Sequence, residues 1–150
     1  MLQYNKIIFV STSDTCRGPV AAAIMRNMPQ MKETEVISRG VVSLFPEPVN
    51  PKAVAVAKGN DIEVGDYQSH QIASSDFGMN TLVLAMTEIM KKQIYDTYTE
   101  AVNVYTIKEF VGEVGDLEVP YGGELTDYGS TFEELQRIVE KVVEKIESAQ

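Results

Sequence analysis

Ser11 and Arg17 stand at the two ends of a short polar loop and lie six positions apart. That spacing lets the backbone between them curl so that several N–H groups point into one concavity, which suits an anion. Arg17 adds a planar guanidinium that can hold two oxygens of a phosphoryl group. The spacing predicts a phosphate-binding loop whose other members are Thr12, Ser13, Asp14, Thr15 and Cys16. The alternative is an ordinary strand-to-helix turn with hydroxyl caps.

The segments on either side of this loop have the patterns of a strand and a helix. An apolar run over 6–10 predicts a buried strand, and the alanine-rich stretch 18–28, with proline in its first turn, predicts a helix that starts at the loop. The same criteria predict further strands over 35–38, 80–86 and 101–107, and further helices over 51–59 and 87–97.

This alternation of strands and helices predicts an α/β fold. We expect a three-layer sandwich, in which a four-stranded parallel sheet has helices on both faces, formed by one domain over residues 1–150. Ligands of such sheets bind at the carboxyl ends of the strands, beside the start of a helix. The loop from Ser11 to Arg17 occupies such a position.

The C-terminal part of the chain predicts a long amphipathic helix after a loop over 112–130 that is rich in glycine and acidic residues. Thr131 and Glu134 have the spacing of a capping box, so the helix is predicted to begin there. Apolar residues recur on one helical face, at Phe132, Leu135, Ile138, Val139, Val142, Val143 and Ile146.

Composition excludes several classes of function. The formal net charge of −9 argues against a nucleic-acid partner, because phosphate backbones are bound by clustered lysine and arginine. No apolar run approaches the length of a membrane span, and the N-terminus lacks a signal-peptide pattern, so we expect a cytoplasmic protein with no membrane partner. With one cysteine and one histidine, the chain predicts no internal disulfide, no metal site built from these residues and no cofactor.

Five short segments, in a consistent order, carry a recognisable set of motifs. The first is Ser-Thr-Ser-Asp-Thr-Cys-Arg-Gly-Pro at 11–19. The later ones are Ser38–Arg39–Gly40, Asn50–Pro51–x–Ala53, Leu84–Ala85–Met86 and Pro120–Tyr121–Gly122–Gly123. Together they resemble the low-molecular-weight protein tyrosine phosphatases, whose first strand ends in Cys-x-Gly-Asn-x-Cys-Arg-Ser-Pro. The resemblance implies a hydrolase that acts on phosphorylated protein or a small phosphomonoester and also binds inorganic phosphate.

Ser11 stands where the family has its nucleophilic cysteine, whose thiolate attacks phosphorus to form a phosphocysteine intermediate. A serine hydroxyl does not ionise comparably, so Ser11 predicts a site that binds phosphate without turnover. Two origins are compatible with it: a substitution that traps substrate in an active parent, and a natural pseudophosphatase. A third interpretation is a protein arginine phosphatase, because that branch of the family has threonine at the position of Thr15; a tolerated small loop residue is the alternative there.

The general acid of the family is an aspartate directly before the proline of Asp-Pro-Tyr. Val119 occupies that position here and cannot donate a proton. Glu118 is therefore the predicted general acid, with Asp116 as an alternative and two solvated loop carboxylates as the other interpretation. The resemblance places Tyr121 in the substrate pocket, unless it only packs on the loop. Asp14 replaces an asparagine, and its charge is unfavourable beside phosphate unless it turns away or is paired.

Overall fold

A computed structural model describes residues 4–120 and 123–149. Its four strands form one parallel sheet, as the sequence predicted, and their order in the sheet is β2-β1-β3-β4. The strands are β1 (Lys6–Ser11), β2 (Glu35–Gly40), β3 (Thr81–Ala85) and β4 (Val104–Thr106). β1 and β3 are central, and five consecutive residues of β3 are buried, which explains why both strands read as continuous apolar runs.

The edge strand β4 is shorter than the predicted 101–107. Asn103, just before it, has a φ of 56°, in the left-handed region that ends an extended backbone. Thr106, at its end, accepts a hydrogen bond from the Glu109 N–H at 3.0 Å and thereby starts the next helix. Local backbone geometry therefore leaves three residues in the strand.

Helices cover both faces of the sheet. They are α1 (Arg17–Arg26), α2 (Pro51–Gly59), α3 (Glu88–Thr97), α4 (Ile107–Phe110) and α5 (Leu125–Ser148), with 3-10 turns at Pro29–Met31 and Ser74–Asp76. α1 connects β1 to β2, whereas α3 connects β3 to β4, which lies on the opposite side of the sheet. Crossovers between parallel strands are right-handed, so these two helices lie on opposite faces of the sheet. α5 packs against α1 and α2. No helix in the described part of the chain is long and apolar enough to span a membrane.

The long helix begins earlier than predicted. α5 starts at Leu125, where the Glu124 N–H donates to the Asp127 carboxylate at 3.1 Å, so the prediction of a capping box at Thr131 and Glu134 was wrong. The helix continues through Gly129 because its face packs against α1 and α2, which outweighs the weak helix propensity of glycine. The predicted apolar stripe is confirmed: all seven of its residues are buried.

Candidate functional site

The loop from Ser11 to Arg17 connects the central strand β1 to the start of α1. The neighbouring segment holds its first half, since the N–H groups of Val41 and Val42 donate to the carbonyls of Ser11 and Thr12 at 3.0 and 2.9 Å. Gly40 permits this approach, because a Cβ there would lie 3.1 Å from the Thr12 carbonyl oxygen. The strand ends of β1 and β2 thus fix the backbone of the loop.

A cavity of about 180 Å³ opens above this loop. The cavity is lined by the loop, by the start of α2, by α5 and by the segment before residue 121. The lining residues are Ser11, Thr12, Ser13, Thr15, Cys16, Arg17, Asn50, Val119, Pro120 and Tyr128. Six of the seven residues that the sequence predicted for the loop site therefore border one cavity. Asp14 is the exception.

Ser11 is buried and lines the cavity. Its side chain oxygen, Oγ, has no hydrogen-bond partner among the described residues, although the residue is only 3% exposed. Buried hydroxyls ordinarily have a partner, so an unpartnered one that borders a cavity is available to a ligand. Gly18 lies close by, and a Cβ at that position would stand 2.9 Å from this oxygen. A serine at 18, as in the family pattern, would crowd Ser11 here.

Arg17 links two sides of the cavity. One guanidinium nitrogen, Nη1, donates to the Leu117 carbonyl at 2.7 Å, and the other, Nη2, donates to the Thr12 hydroxyl at 3.4 Å. The side chain is buried, which lowers the local dielectric around its positive charge. The cavity is consequently electropositive on the side of α1, whose N-terminus contributes the positive end of the helix dipole.

Asp14 turns away from the cavity. It has a φ of 62°, as expected for an aspartate in place of asparagine, and its side chain is completely buried. The carboxylate oxygen Oδ2 accepts a hydrogen bond from the His70 backbone N–H at 2.9 Å and contacts the Tyr67 hydroxyl. Burial raises the pKa of Asp14 above its ordinary value, although these hydrogen bonds act in the opposite direction. Its side chain thus contributes no wall to the cavity.

Cys16 does not supply the missing thiolate. Burial raises the pKa of its thiol to about 11, although the neighbouring charge of Arg17 acts in the opposite direction. The thiol is therefore protonated at neutral pH, and the thiol form is a poor nucleophile. Cys16 is half-buried and packs against the hydrophobic core, which is a structural role.

The segment 112–120 brings neither predicted acid to the cavity. Leu117 anchors it, because its N–H donates to the Met86 carbonyl at 2.9 Å and its own carbonyl accepts from Arg17. Asp116 accepts from the Glu88 N–H at 2.9 Å, at the start of α3. Glu118 is exposed and is not among the lining residues, whereas Val119 is. The geometry therefore gives no support to Glu118 as general acid, because Leu117 fixes the segment with Val119 at the cavity.

Four lining residues were not among the predicted site residues: Asn50, Val119, Pro120 and Tyr128. Asn50 is the N-cap of α2: its side chain oxygen accepts from the Lys52 N–H at 2.9 Å, and its amide nitrogen donates to the Tyr128 hydroxyl at 3.0 Å. Asn50 was noted only as part of a motif, and Tyr128 was assigned to a loop. The spacing of Tyr128, Phe132 and Leu135 is that of one helical face and could have extended α5 to the cavity. Tyr121, predicted in the pocket, lies outside the described residues.

Among residues 4–120 and 123–149, no group of three histidine, cysteine or carboxylate side chains is arranged to hold a metal ion. The chemistry available at the cavity is that of hydroxyls, one guanidinium, one thiol, one amide and one phenol. These groups donate hydrogen bonds, which fits a tetrahedral oxyanion.

Comparisons with known proteins agree with this geometry. The chain is 35% identical to the protein-arginine-phosphatase of Geobacillus stearothermophilus, over 97% of this chain and 98% of that protein. It is 31% identical to the low molecular weight protein-tyrosine-phosphatase PtpB of Staphylococcus haemolyticus (strain JCSC1435), over 91% of this chain and 96% of that protein. Both relatives match nearly from end to end.

A solved structure is also similar to this chain over nearly the full length of both. It is a cysteine-to-serine mutant of the YwlE arginine phosphatase with a phosphorylated active site serine, with a TM-score of 0.84, 30% identity and coverage of 95% of each chain. The family model for low molecular weight phosphotyrosine protein phosphatase matches residues 6–150. With the family's loop at the end of β1 and its parallel sheet both present, the chain belongs to the low molecular weight phosphotyrosine protein phosphatase family.

Proposed function

We propose that this chain binds the phosphoryl group of a phosphorylated protein in the cavity above Ser11 and does not release it by hydrolysis. The observation that carries the proposal is the buried Ser11 Oγ, which has no hydrogen-bond partner in the described part of the chain and borders a cavity that Arg17 also lines. Backbone N–H groups of the loop, the positive end of α1 and the Arg17 guanidinium stabilise the phosphoryl oxygens. Inorganic phosphate binds in the same way.

The lack of turnover follows from two features of the site. A serine hydroxyl remains protonated at neutral pH and is a weaker nucleophile than the cysteine thiolate of the family. The described lining residues include no carboxylate that could protonate the leaving group, since Val119 stands at the position of the acid. The protein then acts as a trap for substrate or, if Ser11 is its natural residue, as a pseudophosphatase that holds phosphorylated partners.

The relatives include both protein-tyrosine-phosphatases and protein-arginine-phosphatases, and we choose phosphoarginine as the proposed ligand because of Thr15. Two of them are protein-arginine-phosphatases, from G. stearothermophilus and from Bacillus subtilis (strain 168), which are 35% and 30% identical to this chain. Thr15, which lines the cavity, agrees with that branch. In this proposal the ligand is a protein that carries phosphoarginine.

A second candidate function is phosphoryl transfer to Ser11 itself. The similar structure with a phosphorylated active site serine motivates it. Ser11 Oγ would form a bond to phosphorus while the bond between phosphorus and the arginine nitrogen breaks, and the hydroxyl proton would pass to the departing guanidine. The products are phosphoserine at 11 and the unphosphorylated arginine side chain of the ligand protein, and the phosphoserine persists because the described lining residues include no carboxylate that could activate water.

Ser11→Cys is the experiment that tests the function. We expect the unchanged protein to bind phosphate by calorimetry and to hydrolyse neither phosphoarginine nor an aryl phosphate, and the variant to gain hydrolysis. Ser130→Cys, on the exposed face of α5, is the matched control and should gain nothing. A variant that binds phosphate but stays inert would favour the natural pseudophosphatase. Measurable turnover by the unchanged protein, or no phosphate binding, would contradict the proposal.

Mass spectrometry after incubation with a phosphoarginine peptide tests the second candidate. Ser11 should carry a phosphoryl group in the unchanged protein, and this modification should be absent from Ser11→Ala. An unmodified Ser11 under conditions in which the peptide binds would restrict the protein to reversible binding.

A further inference from the structure

The Asp14 carboxyl group is a buried acid beneath the loop that binds the anion. One of its oxygens, Oδ1, has no hydrogen-bond partner among the described residues. The other, Oδ2, accepts from the His70 N–H at 2.9 Å and contacts the Tyr67 hydroxyl, and the Ser38 side chain also interacts with the carboxyl group. A charged carboxylate with one unpartnered buried oxygen carries a desolvation cost that a neutral acid largely avoids.

The Tyr67 hydroxyl has one proton and two acceptors. Its oxygen lies 2.9 Å from the Ser38 carbonyl as well as in contact with Asp14 Oδ2. A charged Asp14 and a carbonyl both only accept hydrogen bonds, so they would compete for that proton. If Asp14 is protonated, its O–H donates to the Tyr67 oxygen and Tyr67 donates to Ser38. The neutral acid therefore completes the hydrogen-bond chain.

The charged and titratable groups around Asp14 do not provide a dedicated cation. Arg39, on β2, acts on Asp14 through space, but its Nε lies 3.4 Å from an Asp76 carboxylate oxygen and its Nη1 donates to Ser38. Arg17, in the same loop, donates to the Leu117 carbonyl. Burial, with Asp14 beside it, raises the pKa of Tyr67 to about 12, so this phenol is protonated at neutral pH.

His70 contributes its backbone N–H and has an exposed side chain. No ion pair of the described residues includes Asp14. A bound anion would therefore meet an Asp14 charge that no neighbouring cation offsets by direct contact.

Asp14 lies close enough to the anion site for its charge to matter. A Cβ placed on Gly18 would stand 3.4 Å from Asp14 Oδ1 and 2.9 Å from Ser11 Oγ, so both unpartnered oxygens border the same point at the start of α1. Ser11 also lines the cavity. A negative Asp14 would repel an anion held above Ser11, and low dielectric would strengthen that repulsion.

We propose that Asp14 is a positioning residue whose carboxyl group is neutral while the cavity holds an anion. If Asp14 is ionised beforehand, anion binding is accompanied by the uptake of one proton at this side chain. The neutral acid resembles the asparagine of the family pattern in size and in its ability to donate a hydrogen bond. The inference rests on the proposed function, because it requires the cavity to bind an anion. It makes the affinity of this chain for phosphoryl groups fall as pH rises.

Sulfate affinity as a function of pH tests this inference. Sulfate keeps its double charge between about pH 5 and about pH 9, so any change in affinity comes from the protein. For the unchanged protein we expect sulfate affinity, measured by calorimetry, to fall by up to about tenfold per pH unit above the pKa of Asp14, as linkage to one proton requires. Asp14→Asn should bind with a flat profile, because its amide is neutral throughout.

Asp61→Asn is the matched control. Asp61 also has a left-handed φ, 61° against 62° for Asp14, but it is exposed. This variant therefore makes the same chemical change on the same backbone geometry, away from the cavity, and should keep the profile of the unchanged protein.

The possible outcomes separate this inference from the proposed function. Equal pH dependence in the unchanged protein and in Asp14→Asn would overturn the inference and leave anion binding intact. No sulfate binding by any of the proteins at any pH would overturn both. The carboxyl carbon of Asp14 gives an independent measurement by carbon NMR, and a charged Asp14 in the sulfate-bound protein at neutral pH would also refute the inference.

Discussion

Replacing Arg17 by lysine removes the guanidinium that joins the two walls of the cavity. Arg17 donates to the Leu117 carbonyl at 2.7 Å and to the Thr12 hydroxyl at 3.4 Å, and a single ammonium cannot reproduce that fork. A hydrogen bond to a charged group contributes about 1.5–3 kcal/mol. The loss of one such bond to a bound oxyanion corresponds to an affinity about 10- to 150-fold lower.

The same substitution should also lower the stability of the protein. Leu117 is buried, and the substitution would remove the charged donor from its carbonyl oxygen. Leaving a buried acceptor without a donor lowers the free energy of unfolding by about 1–3 kcal/mol. Sulfate affinity measured by calorimetry and the free energy of unfolding measured in urea report the two effects separately. The segment that carries Val119 and Pro120 should become more mobile, because Leu117 anchors it.

Arg137→Lys is the control for Arg17→Lys. Arg137 lies on the exposed face of α5 and pairs with Glu113 and Glu134 at 2.8 and 2.9 Å. Exposed ion pairs contribute about 0–1 kcal/mol, and this one is remote from the lining residues, so sulfate affinity should not change. An Arg17→Lys protein that binds sulfate as tightly as the unchanged protein would refute the assignment of Arg17 to the anion.

Two further predictions concern the stability of α5 and its surroundings. Leu135→Ala should lower the free energy of unfolding by about 2–5 kcal/mol in urea, because a side chain that is 1% exposed leaves a cavity beneath the helix; a loss near zero would contradict the packing. Glu113→Gln should destabilise the protein at neutral pH. Hydrogen bonds from Arg137 and Lys141 lower the pKa of Glu113 from 4.5 to about 2. A depressed carboxyl pKa adds stability that is present above the unfolded value and is lost as pH falls through the folded value. The difference between Glu113→Gln and the unchanged protein should therefore disappear between about pH 4.5 and about pH 2, and a constant difference in urea titrations across that range would refute the assignment.

The periodicity of apolar residues predicted most of the architecture. β1 and β3 are buried on both sides, so their sequences are almost uninterrupted runs of apolar residues. The helix over 51–59 was predicted with its observed bounds. Local capping signals were less reliable. Thr131 and Glu134 have the spacing of a cap, yet they lie inside α5, because packing against α1 and α2 extends that helix toward the cavity.

The position of the candidate site was predictable, and its complete lining was not. Strand, loop and helix start are contiguous in the sequence, so the six residues at the cavity from Ser11 to Arg17 follow from local spacing. Tyr128 reaches the cavity only through the packing of α5. Glu118 was chosen for its closeness to Val119 in sequence, but the hydrogen bonds of Leu117 orient the segment and leave Glu118 exposed.

By itself, the sequence determined the parallel sheet and the contiguous strand, loop and helix start of the candidate site, because each depends on residue types at local spacings. Only the tertiary structure decided the surroundings of Asp14. Its partners Tyr67 and His70 lie 53 and 56 positions away along the chain, and the fold brings them beneath the loop. Burial and hydrogen bonding set the charge of a carboxyl group, and both arise from contacts between distant segments.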